Sequence, residues 1–158
     1  MPGQPARWGW HQLADHHAAR IVDRAGIRAG DLVLDIGAGA GALTGPLLAT
    51  GARVVAVELH RERAAVLRHD CASPRLRVVV ADVSDLRLPR RPFRVVANPP
   101  FAITTAILRR LVAPGSALVR ADVVVPWHTA ARWAAGYGPN HRAYTGIASA
   151  AIRITSRA

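Results

Sequence analysis

Lysine is missing from this sequence. All 21 basic residues are arginine, and they stand against only 10 acidic ones, giving a formal net charge of +11 over 158 residues. So little acid excludes an acidic, solvating chain, and the composition is neither disordered nor fibrous. Cysteine occurs once, at Cys71. One thiol excludes an intramolecular disulfide framework and a cysteine-clustered zinc site, and makes a reducing, cytoplasmic compartment the expectation. The opening Met-Pro-Gly-Gln-Pro-Ala-Arg-Trp lacks the apolar core of a signal peptide. No stretch reaches the ~18 uninterrupted apolar residues of a membrane span, so no membrane partner is expected. The seven histidines show no metal-ligand spacing to an acid or cysteine, and no metal is expected. A 51% hydrophobic, 20% charged composition fits one compact core, hence a single domain over 1–158.

Arginine pairs bidentately with phosphate, and a field this positive gathers polyanions, so nucleic acid is the leading partner. Coding bias explains the missing lysine equally well, but it does not explain the missing acid. Part of the charge is local: Arg87, Arg90, Arg91 and Arg94 crowd one linker, Arg109 and Arg110 are adjacent, and Arg7 lies in the opening segment.

Along the chain, Leu13, Ala18, Ile21, Val22 and Ala25 recur at helical spacing before Gly26, which predicts an opening helix over 12–25 within an N-terminal segment 1–26. Strand-like runs at 31–36, 53–57, 76–80, 93–97 and 118–125 then alternate with helical patterns at 42–49, 61–69, 104–112 and 127–135. This alternation predicts an α/β, Rossmann-like fold, with a mostly parallel sheet covered by helices on both faces. A loop at 136–141 precedes one last β-like run, Thr145–Thr155. Trp127 and Trp133 read as packing anchors rather than stacking platforms, and Cys71 has no activating neighbour that would make it a nucleophile.

Chemistry concentrates where strands end. Asp35-Ile-Gly37-Ala38-Gly39-Ala-Gly41 follows the first strand, and its glycines let a ligand approach the backbone at a helix N-terminus. Gly37, Gly39 and Ala42 would also satisfy the dinucleotide fingerprint, so this loop alone leaves a nicotinamide or flavin enzyme open. Glu58, ending the second strand, can hold ribose hydroxyls in either case. Asp82 after the third strand and Asn98-Pro99-Pro100-Phe101 after the fourth decide the matter. The combination matches S-adenosylmethionine-dependent enzymes that methylate an exocyclic amino nitrogen. An adenine N6 lone pair is delocalised and must be turned toward tetrahedral geometry before it attacks a methyl group. The Asn98 side-chain carbonyl and the Pro99 backbone carbonyl can accept both N6 hydrogens, the prolines stiffen the loop, and Phe101 offers a stacking ring.

These motifs, with the opening Trp8-Gly-Trp-His11-Gln-Leu13-Ala-Asp15, resemble the Erm-type ribosomal RNA adenine N6-methyltransferases and the related dimethyladenosine transferases over roughly residues 7–133. The resemblance implies S-adenosylmethionine as cofactor. By position, it places Gly37, Ala38 and Gly39 at the cofactor's methionine end, and counts His11, Leu13, Asp35, Gly41, Leu59 and Asn98 among the cofactor-binding residues. Glu58 falls at the ribose, Asp82 and Val83 at the adenine, and Asn98 to Phe101 at the target base. It further implies one adenine of 23S ribosomal RNA as acceptor, with macrolide, lincosamide and streptogramin B resistance as the consequence. Arg7, Arg87, Arg90, Arg91, Arg94, Arg109 and Arg110 would hold the RNA. Two departures stand out. The family's usual Gln-Asn-Phe-Leu is replaced here by Trp10-His11-Gln12-Leu13. The family's small helical C-terminal domain is not expected here, and a short, monomeric form with an incomplete closing strand pair is the expectation. Three other readings remain: a small-molecule amine N-methyltransferase, a cofactor-holding RNA-binding relative without activity, and a methyltransferase of basic protein side chains, a target this charge would repel.

Overall fold

The computed structural model describes residues 13–136, 141–145 and 150–155. Five helices, α1 (Asp15–Ala25), α2 (Thr44–Ala49), α3 (Arg61–Asp70), α4 (Thr104–Leu111) and α5 (Trp127–Gly136), alternate with strands. The strands are β1 (Leu32–Ile36), β2 (Arg53–Glu58), β3 (Leu76–Val80), β4 (Phe93–Ala97), β5 (Leu118–Val125), β6 (His141–Thr145) and β7 (Ala150–Thr155). They form one sheet in the order β3-β2-β1-β4-β5-β7-β6. The first five are parallel, and β7 pairs antiparallel with both β5 and β6.

The strands read as unbroken apolar runs because successive side chains enter two different cores. Val33, Val96 and Val124 pack with α1 and α2, whereas Leu34, Val95 and Val123 pack with α4 and α5. Trp133 is 4% exposed in the second core, as a packing anchor should be, whereas Trp127 is 56% exposed. Helix α1 ends where Gly26 takes a left-handed φ of +61°. Two arginines then secure that end to the sheet. Arg94 Nη1 donates to the carbonyls of Ala25 and Gly26, and its Nε lies 3.5 Å from Asp31 Oδ2. Arg120 donates to the carbonyl of Arg24 while its Nε sits 2.8 Å from the buried Asp122. Positive side chains at a helix C-terminus satisfy carbonyls that have no intrahelical partner.

One expectation is corrected. The run 145–155 holds one strand, β7, and an unexpected strand, β6, precedes it at His141–Thr145; the two pair from His141 opposite Ile154 to Thr145 opposite Ala150, so the closing antiparallel pair is complete. His-Arg-Ala-Tyr-Thr has no apolar run to announce a strand. It pairs because β7, seated on β5, offers it an open edge.

Candidate active site

Parallel strands place all their carboxyl ends at one sheet edge, and every chemically suggestive motif lies there. The loop after β1 is tied to the end of β2, with the amides of Gly37 and Ala38 both donating to the Val57 carbonyl at 2.8 and 3.0 Å. Gly37 has a φ of +76°, and a Cβ there would meet Pro100 Cδ at 3.0 Å and Pro99 Cα at 3.2 Å. The glycine is therefore required on two counts, backbone conformation and contact with the Asn98–Phe101 loop. Gly41, at φ +91°, lies against Leu67 and Cys71 and serves the packing of α3 rather than the crevice wall.

The carboxylates are positioned individually. Glu58 is 4% exposed; its Oε2 accepts from the Gly39 amide at 2.9 Å and its Oε1 from the His60 amide at 3.0 Å. Asp35 is 1% exposed and accepts from Thr44 Oγ1 at 2.7 Å. Burial pushes its carboxyl up to about 7, with the nearby Glu58 adding to the rise and the Thr44 hydroxyl opposing it. Asp82 is exposed, and its Oδ1 accepts from both the amide and the hydroxyl of Ser84 at 2.8 Å. These two bonds hold the Asp82 carboxyl below the usual carboxylate range. Burial raises the Cys71 thiol, which keeps it protonated and unreactive.

Two recesses result, both lined in part by Gly37. A crevice of about 290 Å³ is lined by Gly37, Glu58, Leu59, Asp82, Val83 and Pro100, together with His60, Arg63, Ala102 and Ile103. A small hollow on the other side of Gly37 is lined by Leu13, Asp35, Ala38, Leu43 and Asn98. The structure thus brings together most of the residues singled out from sequence. His11 and Arg7 lie outside the described residues. Phe101 is half-buried and opens a single 3-10 turn, Phe101–Ile103, ahead of α4.

Sequence reasoning missed three contributors and gave a fourth, Arg110, only an RNA-holding role. His60 and Arg63 line the crevice because α3 starts at this edge. Ser84 fixes Asp82 through an Asx-type turn, which the Asp-x-Ser spacing could have signalled. Arg110 reaches from α4 to donate to the carbonyls of Val83, Ser84 and Leu86, clamping the loop that carries Asp82. No local pattern announces that contact. Among the described residues, no group of three metal-ligating side chains is present, and no helix is long and apolar enough to cross a membrane.

An elongated crevice at the carboxyl edge, with an acid at the end of β2 and a second acid after β3, defines a Rossmann-like class I S-adenosylmethionine-dependent methyltransferase. Structural neighbours agree. The crystal structure of the 23S rRNA methyltransferase ErmE superimposes with a TM-score of 0.79 at 27% identity, covering 92% of this chain and 69% of that one. An RNA methyltransferase from Salinibacter ruber, solved with S-adenosyl-L-homocysteine, shares the fold at a TM-score of 0.73 and 14% identity, over 92% of this chain and 93% of its own. The ribosomal RNA adenine dimethylase family profile matches residues 7–154. The chain belongs to that family, whose cofactor is S-adenosylmethionine.

The small-subunit ribosomal RNA methyltransferase A of Thermosynechococcus vestitus is 44% identical over 110 residues, 67% of this chain and 41% of its own length. The rRNA adenine N-6-methyltransferase of Corynebacterium diphtheriae is 40% identical over 101 residues, 63% of this chain and 39% of its own. The chain thus spans about two fifths of the length of these curated relatives.

The donor set suits the cofactor. Glu58, with both oxygens already oriented by amides, presents a fixed acceptor for vicinal hydroxyls, and Asp82 provides an acceptor at the far end of the crevice. Asp35 puts a buried carboxyl beside the hollow where a cationic amino-acid end would sit.

Proposed function

We propose that this chain transfers a methyl group from S-adenosylmethionine to the N6 of an adenine in ribosomal RNA, with the peptidyl-transferase region of 23S RNA as acceptor and resistance to macrolides, lincosamides and streptogramin B as its consequence. One observation carries the reading: the Asn98–Phe101 loop is packed directly on the cofactor loop. Pro99 and Pro100 lie so close that they leave no room for a Cβ at Gly37, and Asn98 shares a hollow with Asp35.

When bound, the cofactor would supply an electrophilic methyl on a sulfonium, whose C–S electron pair would leave with the thioether. The Asn98 side-chain carbonyl and the Pro99 carbonyl accept the two N6 hydrogens, which turns the lone pair out of the ring plane. Phe101 stacks on the flipped base. The methylated nitrogen then gives its excess proton to water, so positioning replaces a general base. Gly37, Gly39, Glu58, Asp82 and Val83 hold the cofactor. Exposed arginines hold RNA phosphates, while Arg94 and Arg110 are engaged with backbone carbonyls and serve the fold and the Asp82 loop.

A second acceptor, adenine in small-subunit ribosomal RNA, is favoured by the 44% identity to a small-subunit methyltransferase. Incubation with methyl-labelled cofactor and each ribosomal RNA, deproteinised or assembled, distinguishes the two, because N6-dimethyladenine stops primer extension at the modified base. Asn98→Ala should abolish label transfer with cofactor affinity close to wild type. Full turnover by Asn98→Ala would refute the cradle, and label appearing only on small-molecule amines would refute RNA as the acceptor.

A further inference from the structure

The arginines gather at the edge of the sheet opposite the catalytic one. The strand registers align Leu76, Val54, Val33, Arg94 and Arg120 as one row across the five parallel strands. One step toward the strand starts lies Arg53, whose neighbour Val54 donates its amide to the Arg75 carbonyl of the adjoining segment. Arg77 is the second residue of β3, and Arg90 and Arg91 lead into β4. The side chains of Arg53, Arg75, Arg77, Arg90 and Arg91 are all exposed. Among the described residues, no ion pair engages Arg53, Arg77, Arg90 or Arg91. Of the carboxylates in segments that border the amino ends of the strands, Asp31 is paired with Arg94 and Asp70 with His69.

We infer that this arginine ridge along the amino edge of β3, β2 and β4 is a second RNA-binding surface, one that grips the phosphate backbone away from the base being methylated. The inference rests on RNA being the acceptor. Four strands at ~4.8 Å spacing separate Arg77 from Arg91 by roughly 14 Å, enough to face several phosphates of a duplex carrying one charge per ~1.7 Å of axis. Asn98, one residue past the end of β4, lies four residues beyond Arg94, about 13 Å at ~3.3 Å per residue, and Arg91 lies further still. A phosphate held at Arg91 therefore belongs to a different part of the RNA from the flipped adenine. The ridge reads backbone and shape, and supplies affinity rather than base choice.

The test measures polarisation of a fluorescein-labelled transcript of the 23S peptidyl-transferase hairpin with its flanking helix, from ~50 to ~200 mM salt. The combined variant Arg53→Ala, Arg77→Ala, Arg91→Ala should flatten the plot of log affinity against log salt by about 2–3, since each lost phosphate contact removes ~0.7–0.9. Its affinity for S-adenosylmethionine should not change, and Asn98→Ala should keep the wild-type slope. Arg91→Ala alone, in the exposed linker, should remove about one contact and guards against misfolding of the triple variant. An unchanged slope in both variants, or no retention of the transcript by the wild type at ~50 mM salt, overturns the ridge. A flattened slope supports it even if no RNA receives label, and that outcome refutes the methyl acceptor instead.

Discussion

Asp35 makes the folded protein sensitive to pH in a direction set by its burial. Its carboxyl titrates at about 7 in the fold, against an ordinary value of 3.8. Between these limits the native state binds a proton that the unfolded chain has lost, so unfolding free energy falls as pH rises. The stabilising difference is fully present below about pH 4, erodes across the interval, and is gone above about pH 7. At ~1.36 kcal/mol per pH unit, a gap of about three units corresponds to roughly 4 kcal/mol.

Asparagine retains an oxygen to accept from Thr44 Oγ1 but carries no charge. Asp35→Asn should therefore match wild type near pH 4 and be more stable by a few kcal/mol near pH 8. Urea unfolding of both proteins over this range isolates the residue, because the other titrating groups cancel in the difference. A wild-type-minus-variant difference flat across pH would refute the reasoning. Glu58→Gln should shift the wild-type midpoint downward, since the Glu58 charge contributes to the raised value.

The other predictions concern the crevice. Glu58→Ala should weaken S-adenosylmethionine binding by roughly 1–3 kcal/mol in calorimetry, because it removes the hydroxyl acceptor and strands the Gly39 and His60 amides. Gly37→Ala should cost roughly 1–2 kcal/mol in unfolding free energy through its left-handed φ alone, and should depress turnover further by displacing Pro99 and Pro100; wild-type stability and turnover would refute the contact. Arg110→Met should raise the KM for cofactor several-fold, with kcat at saturating cofactor little changed and partial rescue by Arg110→Lys, as a loosened Asp82 loop predicts. An unchanged KM would assign Arg110 to the fold alone.

How much the sequence determined is clear from particular elements. Five β-like runs alternating with helical patterns gave the order of the parallel sheet's elements, because apolar periodicity and strand-end glycines are local signals. The glycine loop at Gly37–Gly41, the acids Asp35, Glu58 and Asp82, and the Asn98–Phe101 loop could be placed together from sequence because each lies at or just past the end of a strand, and parallel pairing sends all such ends to one edge. What tertiary structure alone decided is non-local. β6 is a strand only because β7 provides an edge. Arg110 belongs to the Asp82 loop only because α4 folds beside it, 24 to 27 residues away in sequence. Arg94, read in sequence as one more positive charge in a basic cluster, closes the end of α1 from 68 to 69 residues away. A guanidinium has the same charge whether it meets phosphate or backbone carbonyl, so composition could count the arginines but only packing could say which of them already have partners.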